Sequence, residues 1–191
     1  LKSGRLVLAG QDVRFDPGRH VVFSYVSDDE GKTWRKSNDL DIGGSGDHGG
    51  AMEATVAELA DGQVYMLIRT VKGWFWEAFS DDGGLTWSEL LPVPDNWRQV
   101  ANCPAIYRLV DPEGVARLVV FAGQGPGGAM HQSHSADGGR TWTPMTCTGL
   151  TSVMPFCTIE AVDGGKRLLG MTNIRRPGET KEKRSNVVAQ S

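Results

Sequence analysis

Cysteine is scarce. The chain has three among 191 residues, Cys103, Cys147 and Cys157. An odd number without ligand-like spacing matches neither a disulfide framework nor a zinc site. The count leaves the compartment open, with a secreted or periplasmic setting the first expectation. No apolar run is long enough to span a bilayer, and no stretch carries the periodicity of a useful amphipathic helix. Charge of one sign is also lacking: 20 basic and 23 acidic residues give a net charge of -3. Neither a nucleic-acid partner nor a membrane-surface patch is therefore expected. The one dense charge run, Glu179 to Arg184, alternates in sign and reads as a solvated loop. No start methionine and no signal-peptide pattern opens the sequence, so any targeting segment is expected outside it. No metal and no cofactor are expected.

Glycine, in contrast, is frequent at 25 residues, which suits a fold of many tight turns. Five of these glycines fall in a repeat. Three copies of S-x-D-x-G-x-T-W occur: Ser27 to Trp34, Ser80 to Trp87 and Ser135 to Trp142. Their serines stand 53 and 55 residues apart, the length of one four-stranded propeller blade. Ser and Asp oxygens accept hydrogen bonds from nearby amides and close a turn. Gly permits positive φ, and Trp offers a large apolar face that can wedge between sheets. Asp29, Asp82 and Asp137 thus read as turn staples rather than catalysts, and Trp34, Trp87 and Trp142 as largely buried.

Strand signals fill the space between the boxes: 53–59, 64–70 and 74–79, then 104–109, 117–122 and 130–135, then 156–162, 167–171 and 186–191. The predicted fold is all-β, with blades over about 1–45, 46–98, 99–150 and an incomplete 151–191. The first blade lacks an inner strand and the last lacks its end, so both termini are expected to cut a repeat. Exposed strand edges follow from that.

The start of each innermost strand faces a propeller's axis, where several blades build one pocket. Aligning the repeats makes Glu53, Cys103 and Phe156 equivalent. A carboxylate opening an otherwise apolar strand would be partly desolvated there. Spacing alone leaves Glu53 open between that role and a solvated strand end. His48 lies in the Gly-rich loop 43–50 just before it and could reach a substrate. His131 and His134 sit on one strand at odd spacing and point to opposite faces, so they are not a metal pair. Trp74, Phe75 and Trp76 read as packing between blades.

The segment from Glu53 through Glu58-Leu-Ala-Asp61-Gly62 to Arg69 resembles bacterial sialidases, in which a Glu opens the strand, a hairpin follows, and an Arg closes the second strand. The stretch Leu1 to Leu8 resembles the strand that precedes the first box in those proteins. The resemblance implies a six-bladed propeller, of which this chain carries three to four blades, and an exo-glycosidase acting on a carboxylated terminal sugar of a glycan. In such enzymes a Tyr assisted by a Glu attacks, an Asp is the acid/base, and arginines clamp the carboxylate. The resemblance makes Glu53 the assisting carboxylate and Arg69 a clamp residue, whose planar fork suits a carboxylate.

Departures qualify it. The nucleophile position aligns with Phe156, which has no hydroxyl and is expected to line the pocket as a binding group. A further clamp Arg has no match in Ala129 to His134, and Arg98, Arg175 or Arg176 would have to supply it from loops. The acid/base Asp would lie upstream of Leu1. Two other readings stay open: a non-catalytic carbohydrate-binding propeller, and a related glycosidase with a carboxylate pair, such as an exo-arabinanase. A hairpin centred between Asp61 and Gly62 predicts Glu53 opposite Thr70, and hence Glu53 and Arg69 at one end of the sheet.

Overall fold

In a computed structural model, the backbone is described for residues 1–14, 18–45, 49–94, 97, 102–110, 114, 116–123, 129–162, 167–174 and 185–190. Side chains are described within these ranges up to residue 149, with Arg14, Asn102 and Ala116 excepted. Thirteen strands and no α-helix occupy the described residues. The chain divides into two units, Leu1–Arg98 and Gln99–Ser191.

The first unit holds two antiparallel sheets. One runs β1-β2-β3, made of Leu6–Arg14, Arg19–Ser27 and Arg35–Lys36. The other runs β4-β5-β6-β7, made of Ala51–Glu58, Val64–Thr70, Trp76–Ser80 and Leu91–Pro92. The strand entering the first box is β2, with Leu6–Arg14 one strand earlier, so the Leu1 to Leu8 stretch precedes the box by two strands rather than one. The second unit forms one six-stranded sheet in consecutive antiparallel order. Its strands are β8 (Asn102–Val110), β9 (Ala116–Gly123), β10 (Ala129–Ser135), β11 (Thr146–Val162), β12 (Arg167–Ile174) and β13 (Ser185–Gln190). The 17-residue β11 runs unbroken through residue 150, pairing with β10 at its start and β12 at its end.

Alternation decides what each face meets. Val64, Met66 and Ile68 of β5 join Val22, Leu40, Ala51, Ala78 and Trp87 in a core between the two sheets of the first unit. Burying such side chains stabilises by about 1.5–3 kcal/mol each. Ser24, on the same face of β2 as Val22, is fully buried. Its hydroxyl donates to the Gly84 carbonyl and accepts from the Trp87 indole at 2.8 Å, so this buried hydroxyl is satisfied. On the other face of β2, Phe23 meets Tyr25 edge-on at 5.3 Å, and the Lys36 ammonium stands 4.1 Å from the Phe23 ring. In the second unit Phe121 and Met130 pack with Tyr107 and Val119.

All three boxes fold alike. In the first, Asp29 Oδ1 accepts from the Ser27 hydroxyl and the Thr33 amide at 2.8 Å each, and Oδ2 accepts from the Thr33 hydroxyl at 2.6 Å. Ser27 Oγ accepts from the Gly31 amide at 2.8 Å. Ser80, Asp82, Gly84 and Thr86 repeat these bonds, as do Ser135, Asp137, Gly139 and Thr141. Two successive residues must be left-handed: Gly83 and Gly84 at φ 73° and 92°, Gly138 and Gly139 at 76° and 95°. The first box places Glu30 at φ 59° where the others have Gly, a strained position for a residue with a Cβ. Hydrogen bonds from Thr33, foremost its hydroxyl, hold the Asp29 carboxyl down at about 2. Those of Thr141 hold Asp137 still lower. Asp82 is pushed up by burial, but the bonds from Thr86 and Ser80 outweigh it and the net shift is downward.

The box tryptophans are not equivalent in burial, contrary to the expectation. Trp87 is 6% exposed, Trp142 is half-buried, and Trp34 is 41% exposed. Trp87 wedges against the first sheet, reaching Ser24 and exchanging backbone bonds with the Asn38 side chain. Trp34 turns its indole N–H back onto the Gly31 carbonyl at 3.0 Å.

Candidate functional site

The β4-β5 hairpin is centred one half-residue earlier than predicted, and its register shifts. Thr55 pairs with Leu67 and Glu58 with Val64, but Met52 pairs with Arg69 and Ala51 with Thr70. Glu53 therefore does not face Thr70. Glu53 and Ala54 together oppose Ile68, a β-bulge, and Glu53 adopts φ 48°. The bulge breaks strict alternation. Glu53, beside the residue paired with Arg69, thereby reaches the guanidinium: Arg69 Nη1 donates to Glu53 Oε2 at 2.7 Å. The two side chains retain 23% and 26% exposure. That is buried enough to strengthen the pair over a surface ion pair, and open enough for a ligand to touch both.

Two supports hold this geometry. Gly50, just ahead of β4, has φ 96°, and a Cβ there would lie 2.2 Å from the His20 carbonyl oxygen. Only glycine lets the chain enter β4 so close to β2. The second is Gln11 of β1, whose Oε1 accepts the Glu53 amide at 2.7 Å. On the Arg69 face of β5, Tyr65 is buried and donates to Glu77 Oε2 at 2.9 Å. Burial pushes the Glu77 carboxyl up, against the pull of the Tyr65 hydrogen bond. Burial and the Glu77 charge push the Tyr65 phenol well above its ordinary value.

The same bulge recurs in the second unit. Asn102 pairs with Gly123 and Ala105 with Phe121, and Cys103, buried, adopts φ 42°. Cys103 thus stands two residues before the point where the ladder resumes, as Glu53 stands before Thr55. In β11 the ladder resumes at Thr158, two residues past Phe156. The side chain of Phe156 lies outside the described residues, as do His48, Arg98, Arg175 and Arg176. His131 is half-buried, its Nδ1 at 3.2 Å from the Ala129 carbonyl, and His134 is exposed. Among the described residues no cluster of side chains could hold a metal ion. Phe75 is buried and its neighbours Trp74 and Trp76 half-buried. Sequence reasoning missed Gln11 and the bulge. Gln11 sits 42 residues from Glu53 with no motif around it, and the bulge had one signal only, the paired shift of hairpin register that a single sequence does not display.

A family model described as a BNR repeat-like domain matches residues 1–109, more than half of the sequence. The chain belongs to the BNR repeat-like family. No curated protein matches it. Among solved structures, this BNR repeat-like chain is similar to a protein of unknown function from Dyadobacter fermentans, at 20% identity and TM-score 0.67, over 100% of this chain and 50% of that one. It is similar to the Trypanosoma rangeli sialidase at 16% identity and TM-score 0.68, over 93% of this chain and 28% of that one. The α-L-arabinofuranosidase of Fusarium graminearum matches at 18% identity and TM-score 0.57, over 74% and 45%. The chain thus spans half or less of the length of these structures. The fold is the all-β fold of the sialidase-like β-propellers.

Proposed function

We infer that this BNR repeat-like chain carries part of the pocket of a sialidase-like exo-glycosidase, an Asp-box propeller acting on a terminal carboxylated sugar of a glycan. The observation that carries the reading is the Glu53–Arg69 pair, half-open at the head of a bulged strand. Arg69 has five N–H donors in a fixed fork, enough to engage Glu53 and a substrate carboxylate together. Glu53 is the carboxylate able to take a proton or stabilise positive charge developing at the sugar ring. Phe156, aligned with the attacking Tyr, cannot attack and serves as an apolar lining. Glu53 then acts directly, as nucleophile or as base toward water. His48 contributes to binding from the loop before β4, and the blades run over about 1–45, 46–98, 99–150 and 151–191.

Hydrolysis of a fluorogenic sialoside by the full-length protein, lost in Glu53→Gln and with KM raised in Arg69→Met, is the expected result. Turnover that survives both variants refutes the assignment. A second reading, a non-catalytic carbohydrate-binding propeller, rests on Phe156. It predicts that N-acetylneuraminic acid binds without turnover and that Phe156→Tyr gains activity. A third, a glycosidase using a carboxylate pair on an uncharged arabinose unit, draws on the likeness to the arabinofuranosidase. It predicts hydrolysis of an arabinofuranoside in place of the sialoside.

A further inference from the structure

The left-handed bulge at the head of β4 is not unique to a glutamate. Cys103 adopts the same conformation at the same place in β8, so the bulge is a feature of the repeat. A bulge takes a residue out of the ladder and frees its amide. At Glu53 that amide is taken by a side chain from a different sheet, Gln11 of β1, at 2.7 Å. An amide N–H can only donate, so the oxygen of the Gln11 carboxamide must face it and the nitrogen must face away. A residue with a Cβ at φ 48° stays there only where its surroundings over-determine it. Here the surroundings include this clamp on the backbone and Arg69 on the carboxylate.

We propose that Gln11 is a positioning residue that holds Glu53 in its left-handed bulge and so aims the Glu53–Arg69 pair at a carboxylated ligand. The proposal rests on the reading of that pair as a sugar site. It differs from a core-packing role because the Gln11 side chain is exposed and adds little buried apolar surface.

The test compares the wild-type full-length protein with Gln11→Met, which keeps the length and removes the acceptor, and Gln11→Glu, which keeps an acceptor oxygen. Two quantities are read: hydrogen exchange of the Glu53 amide by NMR, and affinity for N-acetylneuraminic acid by calorimetry. Gln11→Met should speed exchange of that amide by about tenfold or more with little change in melting temperature. It should also weaken the acid by about fivefold or more. Gln11→Glu should keep the slow exchange. Unchanged exchange in Gln11→Met overturns the proposal whatever happens to the ligand. Faster exchange with unchanged affinity overturns it too, because the bulge would then not aim the pair. Absence of any acid binding by the wild type overturns the carboxylated-sugar reading instead, and exchange still decides whether Gln11 holds the bulge.

Discussion

Trp87 and Trp34 occupy one position of one motif, yet their removal should cost very different amounts. Trp87 is 6% exposed and packed among Val22, Leu40, Val64, Met66 and Ile68. Trp87→Ala removes that contact and leaves a cavity between two sheets, a loss of about 3–5 kcal/mol. In a domain of this size that lowers the melting temperature by roughly 6–20 °C. Trp87→Phe keeps most of the volume but loses the indole bond to Ser24, costing about 1 kcal/mol. The Ser24 hydroxyl still donates to Gly84, so no buried donor is stranded. Trp34 is 41% exposed and bonds only to its own turn. Trp34→Ala opens no sealed cavity and should cost at most about 2 kcal/mol. Denaturant unfolding monitored by far-UV circular dichroism measures all three. Equal losses for Trp34→Ala and Trp87→Ala would refute the wedge argument.

Glu30→Gly should stabilise the chain by about 1 kcal/mol, because it relieves a left-handed Cβ that the other two boxes avoid; a lower unfolding midpoint would contradict this. The box aspartates should govern acid unfolding. A carboxyl held below its ordinary value stabilises fully above about pH 4 and loses that effect as pH falls toward its folded value, about 2 for Asp29. Asp29→Asn should therefore lower stability at pH 7 and flatten its decline between about pH 4 and 2, as unfolding midpoints at stepped pH would report. Glu77 has the opposite sign: its raised carboxyl opposes folding as pH climbs above the ordinary value. Glu77→Gln, which can still accept from Tyr65, should leave the chain at least as stable at pH 7 by the same assay.

Much of the fold was legible because the repeat is written in residues with single jobs. Ser, Asp, Gly and Thr at fixed offsets named the turn, and the three hydrogen-bond sets follow that code. Alternation named the strands; β5 in particular spans the predicted 64–70. The hairpin register was not legible. The turn dipeptide Asp61-Gly62 suggested a symmetric loop, while the Leu59 amide donates to the Gln63 carbonyl and the Gly62 amide to the Leu59 carbonyl, closing a wider turn that shifts the centre. Glu53 and Arg69 were brought together as expected, but through a bulge and a positive φ that no residue type announces. Gln11 was invisible for a different reason: its contact joins two sheets across 42 residues. Burial of the box tryptophans failed as a rule because burial belongs to the neighbouring sheet, and the motif specifies only the turn.

The most direct test of the account is a crystal structure of the full-length protein with N-acetylneuraminic acid. The sugar carboxylate should lie within hydrogen-bond distance of the Arg69 guanidinium, with Glu53 beside the anomeric carbon and still bound through its amide to Gln11. A sugar bound elsewhere, with Arg69 and Glu53 paired only to each other, would contradict it.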